Sequence, residues 1–416
     1  MKQITAIMIG AGQRGNTYSA YALDHSEELR IVGVAEPDET RRNEYKEKYN
    51  LPDDKCLYTW EDVFKEDKWA DAVMICTQDA MHFGPAMAAI EKGYDILLEK
   101  PIAPTAEECR KIADAATKKG VKILVCHTMR YTPLFNAIKD VIDSGEIGDI
   151  MTVVHNENVG DYHQAHSFVR GNWSNLKESS PMILAKSCHD LDMLQWILSK
   201  KCIRLSSFGT LSYFRKEYCP ENAPPRCTDG CTVDCVYDAR KFYLGSENMW
   251  FRPVAAGCAD PTDEQVEEAL KTGPYGRCVY QCDNDVVDHQ VVSMEFEDSV
   301  TVIFSMTAFT PEISRSIKIM GTKGQMKVHT VPHTIEITKF KAYPQTEERT
   351  ITIQDAAGHS GGDTGIIKTF CAYVRGDRDV TNISEVNISA DNHMLCFAAE
   401  HSRVNSGTVV EMDRFA

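Results

Sequence analysis

The chain reads as an α/β protein: an N-terminal doubly wound parallel sheet over residues 1–127, followed by a C-terminal α+β domain over 128–416 with a mainly antiparallel open sheet. Three observations carry this reading. Short apolar runs alternate with helical patterns in the first part, a glycine-rich turn follows the first run, and strand patterns cluster late in the chain. At 416 residues the chain is too long for one ordinary core and long enough for two.

In the first part the strand candidates are Ile4 to Ile9, Arg30 to Ala35, Ala72 to Cys76, Asp95 to Leu98 and Val121 to Cys126. Helical patterns start near Gln13, Glu39, Met81 and Thr105, the last with Thr105 and Glu108 spaced as a capping box. After Arg130 come helical stretches at Leu134 to Ser144 and Cys188 to Leu198, then alternating runs at Val291 to Phe296 and Val300 to Phe304. Residues from about 215 to 285 are rich in Pro, Gly, Cys and Tyr with little periodicity. Their aromatic residues need something to pack against, so they read as an ordered insertion.

Composition narrows the partners. The chain is 43% hydrophobic and 25% charged, as expected of a globular protein. A net charge of −16 without a basic stripe disfavours nucleic acid and anionic lipid, leaving small molecules. No run approaches the roughly 18 apolar residues of a membrane helix, and the first residues lack an export pattern. Several of the 15 cysteines sit inside apolar runs, among them Cys76, Cys109, Cys126 and Cys396, which fits a reduced, cytoplasmic setting.

The first strand runs into Gly10-Ala11-Gly12-Gln13-Arg14-Gly15. In this strand-to-helix context Gly10 permits the turn, Gly12 lets a pyrophosphate approach the backbone and Gly15 lets the helix pack on the strand. The second strand ends in Glu36, whose carboxylate can accept both ribose hydroxyls. These features describe a Rossmann domain for a dinucleotide, NAD in preference to NADP because Glu36 repels a 2′-phosphate. Arg41 and Arg42 either offset that charge or form a solvated helix face.

The fourth strand ends in Leu97-Leu98-Glu99-Lys100-Pro101-Ile102, and with the glycine turn this resembles the Gfo/Idh/MocA family of glucose-fructose oxidoreductase and inositol dehydrogenase relatives. Thr77 to His82, Thr128-Met129-Arg130-Tyr131 and Ser187-Cys188-His189-Asp190-Leu191-Asp192 extend the resemblance over nearly the whole chain. The resemblance implies cofactor contacts from Thr77, Gln78, His82, Glu99, Lys100, Thr128 and Arg130, and a frequent cis bond before Pro101. It also implies that Lys100 stabilises an alkoxide and that His189 carries the hydroxyl proton. A histidine before an amphipathic helix can equally be a cap or a packed side chain. Many relatives have an aspartate four residues before this histidine, where this chain has Ala185 followed by Lys186. A cation at 186 would lower the pKa of His189, or contact substrate itself. The Lys-Ser-Cys-His-Asp run looks like a subgroup acting on sugars and glycosides.

Substrate contacts are expected from Tyr131, Tyr162, His166, Arg170, Trp173, Lys186 and His189, because sugars need polar partners and an aromatic face. The run Tyr162 to Trp173 reads as a loop, facing the cleft or tying two strands together. His359 to Asp363, before a late helix, resembles a family turn that also faces the cleft. Three functions fit: an NAD-dependent dehydrogenase of a sugar, glycoside or polyol, an NAD-dependent glycosidase working by transient oxidation and elimination, and a sugar sensor without turnover. The family commonly pairs subunits through an open sheet face, so a homo-oligomer, dimer or tetramer, is expected. No metal enters the expected chemistry. Cys219, Cys227, Cys231 and Cys235 could close a structural zinc site or form a buried thiol face.

Overall fold

The computed structural model describes residues 2–245, 250–258, 260–354, 357–378, 380–381 and 383–415. Six strands form the first sheet: β1 (Ile4–Ile9), β2 (Leu29–Ala35), β3 (Cys56–Leu57), β4 (Ala72–Ile75), β5 (Asp95–Leu98) and β6 (Ile123–Val125). All pairings are parallel in the order β3-β2-β1-β4-β5-β6. The order reverses between β1 and β4, opening a crevice at the carboxyl ends of the strands where ligands of such sheets collect. The sequence located every strand but β3, whose two residues are too few to show a period.

Eight of the helices cover the two sheets and border the crevice: α1 (Gln13–Ser19), α2 (Glu39–Tyr49), α3 (Phe83–Lys92), α4 (Ala106–Lys119), α5 (Pro133–Asp143), α6 (Cys188–Leu198), α7 (Gly362–Arg375) and α8 (Val386–Val404). The expected capping box opens α4, with Thr105 accepting from Glu108 N and a left-handed Gly120 closing it. A parallel sheet must be covered on both faces. One face packs on α3, α4 and the start of α8; the other packs on Tyr18, Tyr45 and on Ile366, Ile367, Phe370 and Cys371 of α7. The boundary at 127 therefore separates the sheets but not the cores, because two helices from the end of the chain complete the first one. Backbone bonds seal the return, with Val125 N donating to Ser384 O at 2.9 Å.

The second sheet has nine strands: β7 (Ile150–Asn158), β8 (Cys202–Thr210), β9 (His289–Phe296), β10 (Val300–Thr307), β11 (Ser314–Gly321), β12 (Gly324–Thr330), β13 (His333–Phe340), β14 (Thr346–Thr352) and β15 (Val410–Glu411). Their order is β14-β13-β12-β11-β7-β10-β9-β8-β15, antiparallel except for the β7–β10 pair. Alternate residues such as Val292, Met294, Val302 and Phe304 are buried with Leu191, Leu194 and Ala398 of the helices, while Val291, Ser293, Thr301 and Ile303 face outward. The insertion lies between β8 and β9, and its described residues pack in two clusters rich in aromatic side chains. It holds short helices, including Asp263–Thr272, whose Thr262 and Gln265 form a capping box that the irregular composition hides. Among the described residues no helix is long and apolar enough to cross a membrane.

If α7 completes the first core, Phe370→Ala should lower the unfolding free energy by about 3–5 kcal/mol, as for a buried aromatic truncated to a cavity. Urea denaturation measures this; a loss below about 1 kcal/mol would mean that the helix is not part of that core.

Candidate active site

The glycine turn divides into structural and open positions. Gly10 has φ +93°, and a Cβ there would lie 2.7 Å from Cys76 O; at Gly15 it would lie 2.2 Å from Gly10 O. At Gly12 a Cβ would meet no protein atom within 4 Å. The fold itself thus needs the first and third glycines, while the second leaves open ground that suits a phosphate approaching the backbone. Glu36 is buried at the end of β2, its carboxylate accepting from Ala11 N at 2.7 Å and Asp38 N at 3.0 Å. Arg42 does not lie free on a helix face but donates to Glu36 O at 2.6 Å.

The turn after β5 is held from several sides. Glu99 accepts from Tyr18 Oη at 2.8 Å and Arg14 Nε at 3.0 Å, and Arg14 Nη2 reaches Asp363 at 2.6 Å. The Lys100–Pro101 bond is cis. His82 faces Pro101 O through Nδ1 at 2.7 Å and Thr77 O through Nε2 at 3.1 Å. Ile102 N donates to His393 Nε2 at 3.1 Å, and His393 donates from Nδ1 to Ser389 O at 2.7 Å. Burial lowers the His393 pKa to about 3, so it stays neutral in this tautomer. With its backbone fixed, Lys100 sends Nζ across to Ala185 O at 2.9 Å, about 6.0 Å from the Trp173 ring.

His189 stands in the first turn of α6, and the helical repeat fans its neighbours around it. Asp190 points to the second sheet, bonding Arg315 of β11 at 2.6 Å and His155 of β7 at 2.6 Å. Arg315 also reaches Glu157 at 3.0 Å, and Ser187 Oγ donates to Glu157 at 2.8 Å. Asp192 accepts a two-pronged bond from Arg130, 2.7 Å on each arm, in a fully buried pair. The pKa of His189 is pushed well down, first by burial, then by Lys100, His127, Arg315 and Lys186. The direction expected from sequence holds, but its cause differs. Lys186 is paired with Glu157 at 3.5 Å, and Lys100 is the foremost charge acting on His189.

The residues expected at the site separate into two groups. Lys100 lies near Trp173 and acts on His189, Lys186 acts on the same ring, and His163, part of the Tyr162 to Trp173 run but not singled out in it, joins them: Lys186 and Lys100 both help lower its pKa after burial does. Gln78 meets Asn172 at 2.8 Å, closing the crevice from the other half of the molecule. The second group is engaged elsewhere. Arg130 is committed to Asp192, and the Tyr131 hydroxyl is bonded to Ser384 at 2.8 Å. The expected loop from Tyr162 to Trp173 is instead a helical turn, Asp161–His163, running into a π-helix, Gln164–Arg170, buried along its length. Within it His166 bonds Tyr243 Oη at 2.6 Å and stacks on Tyr275, and Arg170 donates to the carbonyls of Arg277 and Tyr237, each at 2.7 Å. Tyr162 packs edge-on to Phe251. These three side chains fasten the insertion to the domain. His359 bonds Asp363 at 2.9 Å beside Arg14, close to the glycine turn. Among the described residues no three of the sulfurs of Cys219, Cys227, Cys231 and Cys235 lie within 4.8 Å of one another, and all four thiols are free; Cys227, Cys231 and Cys235 line one cavity with Cys278.

Two family models cover this architecture. Residues 4–127 match the NAD-binding Rossmann fold of an oxidoreductase family, and residues 139–382 match its C-terminal alpha/beta domain. The chain belongs to the Gfo/Idh/MocA oxidoreductase family. Within the Gfo/Idh/MocA relatives, the oxidoreductase YteT of Bacillus subtilis is 24% identical over 304 residues, 70% of each chain. An inositol dehydrogenase homologue of Azotobacter vinelandii, solved with NADH and myo-inositol, superimposes with a TM-score of 0.69 at 15% identity, covering 99% of this chain and 98% of that one. The super-repressor mutant of Gal80p from Saccharomyces cerevisiae superimposes with a TM-score of 0.71 at 15% identity, covering 100% and 99%. The Gfo/Idh/MocA fold is thus shared by a dehydrogenase homologue and a repressor.

The buried charges give two testable outcomes. Arg130→Met should destabilise the protein by about 3–5 kcal/mol by leaving Asp192 buried and unpaired, and Arg130→Met with Asp192→Leu should recover most of it; thermal unfolding of both variants decides. Burial pushes Asp363 up, but His359 and Arg14 outweigh it and hold the carboxyl at about 2. A depressed folded pKa contributes stability that is full above the unfolded value near 4 and lost as pH falls through about 2. Asp363→Asn should therefore flatten the decline in stability between pH 4 and 2; an unchanged slope would remove Asp363 from the network.

Proposed function

We propose that the chain is a nicotinamide-dependent oxidoreductase of the cytoplasm, transferring a hydride to or from the carbon bearing a secondary hydroxyl of a sugar, glycoside or polyol, with NAD favoured over NADP. The observation that carries this reading is that Lys100, whose backbone is fixed at the carboxyl end of the parallel sheet, is the foremost charge acting on the His189 ring. The residues present fit a dinucleotide: Gly10, Gly12, Gln13, Arg14 and Gly15 at the pyrophosphate, Glu36 at the ribose, and Thr77, Gln78, His82, Glu99, Lys100 and Thr128 along the crevice. When bound, the nicotinamide supplies the acceptor or donor of the hydride.

The protein's own part is to orient one hydroxyl and move its proton. Lys100 has three N–H donors, of which one goes to Ala185 O, and another can meet the substrate oxygen and stabilise the negative charge that grows on it. His189 is kept neutral by burial and by Lys100, so its ring can accept a proton. Its Nδ1 is sealed in the interior, which leaves Nε2 as the nitrogen turned to the cleft. Trp173, its ring near Lys100, offers an aromatic face for the sugar's C–H surface. Lys186 and His163 line the same space. The outward face of the second sheet, with Ile203, Phe208 and Ile303 exposed, supports pairing with another copy of the chain.

Incubating the protein with NAD and a panel of polyols, pyranoses and chromogenic glycosides, while following absorbance, tests the reading. Reduced cofactor should accumulate with a polyol or sugar; chromophore release without it would point to oxidation followed by elimination. On the substrate so found, Lys100→Ala should lose about 2.7–4 kcal/mol of transition-state stabilisation with cofactor binding intact. His189→Ala should lose about 10²–10⁴ in rate. Glu36→Ala should narrow the preference for NAD over NADP in calorimetric titration. Wild-type rates in both alanine variants would sink the assignment.

A further inference from the structure

Three buried ring nitrogens lie close together between His189 and Asp192. Nδ1 of His189 and both nitrogens of His127 are sealed from solvent without a hydrogen-bond partner. A single buried polar atom left unpaired costs about 1–3 kcal/mol, and these three lie together. The two rings meet edge to face, with centroids 5.8 Å apart and planes at 84°. On the other side of His127, Nε2 stands 3.9 Å from Oδ1 of Asp192. That carboxylate is clamped by Arg130 and by the Asn392 amide.

The chemistry of a base orders these atoms. To take a proton at Nε2, His189 must carry its resting proton on Nδ1, and a sealed Nδ1–H needs an acceptor. His393 cannot serve, although its ring is 5.5 Å from His127, because both its nitrogens are committed to Ile102 and Ser389. His127 can serve, in the tautomer that presents a lone pair to His189 and an Nε2–H to Asp192. The groups facing His127 are Asp192, Arg130, Lys100, Glu99, His189 and His393, and burial outweighs Asp192 to lower its pKa to about 4, so it stays neutral. Contacts of this kind are commonly long without ligand and tighten in the complex.

We infer that His127 is a positioning residue that fixes the resting tautomer of His189, linking that ring to the Asp192 carboxylate. The inference rests on the role proposed for His189 above. It is of the same physical kind as the carboxylate that orients a catalytic histidine elsewhere, with an imidazole interposed.

Nitrogen-15 spectra of the full chain labelled at histidine, saturated with NADH and assigned with His189→Gln, read the tautomer directly and need no turnover. The wild-type protein should hold His189 mainly as the Nδ1–H form. His127→Phe, which keeps an aromatic edge but no nitrogen, should shift His189 mainly to Nε2–H, and His127→Gln, which can still accept and donate, should keep Nδ1–H. A wild-type His189 protonated mainly at Nε2 overturns the inference, and so does an unchanged tautomer in His127→Phe. Should that variant fail to fold, the wild-type spectrum and His127→Gln still decide. Wild-type rates in His189→Ala would remove the base assignment itself, whereas an inactive His189→Ala with an unmoved tautomer in His127→Phe would remove this inference alone.

Discussion

The site depends on the immobility of one turn, Glu99 to Ile102, at the carboxyl end of β5. Its four residues are gripped by groups from four other segments: Arg14 and Tyr18 from the glycine turn and its helix, His82 from the loop after β4, Ala185 from the stretch before α6, and His393 from α8. A lysine side chain is long and loses much rotamer freedom when fixed. Anchoring the backbone beneath it lets one ammonium be aimed without a dense shell of partners around it. The same anchors join the two halves of the chain, so the geometry of the crevice and the packing between the sheets are one problem.

Around that turn the charges are arranged in layers. Asp190 with Arg315 and Glu157 secures the start of α6 to the second sheet, and Asp192 with Arg130 secures it to the end of β6. His189 lies between these pairs. Breaking either would leave a charge buried without a partner, so the helix that carries the imidazole is locked in rotation as well as position. The Lys186–Glu157 contact belongs to the same layer and explains why Lys186 acts on His189 less than its place in the sequence suggests.

Much of this was legible in the sequence where local chemistry decides. The glycine turn, Glu36 at the end of β2 and the capping box of α4 are short-range signals, and the structure reproduces their geometry. Of the two residues matched by resemblance, Lys100 is the foremost charge acting on the His189 ring. What the sequence hid depends on contacts between distant segments. His127 and His393 carry no local mark, since a lone histidine in an apolar run reads as packing until the chain has folded. The polar stretch from Gln164 to Arg170 resembled a surface loop because its partners, Tyr243, Arg277 and Tyr237, lie about 70 residues or more away in the insertion. The cysteine spacing left a metal site and a buried thiol face both open, and among the described residues no three of those four sulfurs lie within 4.8 Å of one another.

The return of α7 and α8 to the first sheet bears on how the protein is made. Domains usually fold in the order in which the ribosome delivers them, the amino-terminal one first. Here one face of the first sheet keeps an incomplete cover until residues beyond 360 have emerged, since Tyr18 and Tyr45 arrive early but Ile366, Ile367, Phe370 and Cys371 arrive late. The part of the molecule that is translated first is therefore among the last to close. A nascent chain halted before α7 would present a greasy, unfinished sheet to the chaperones rather than a small independent domain already able to grasp its nucleotide.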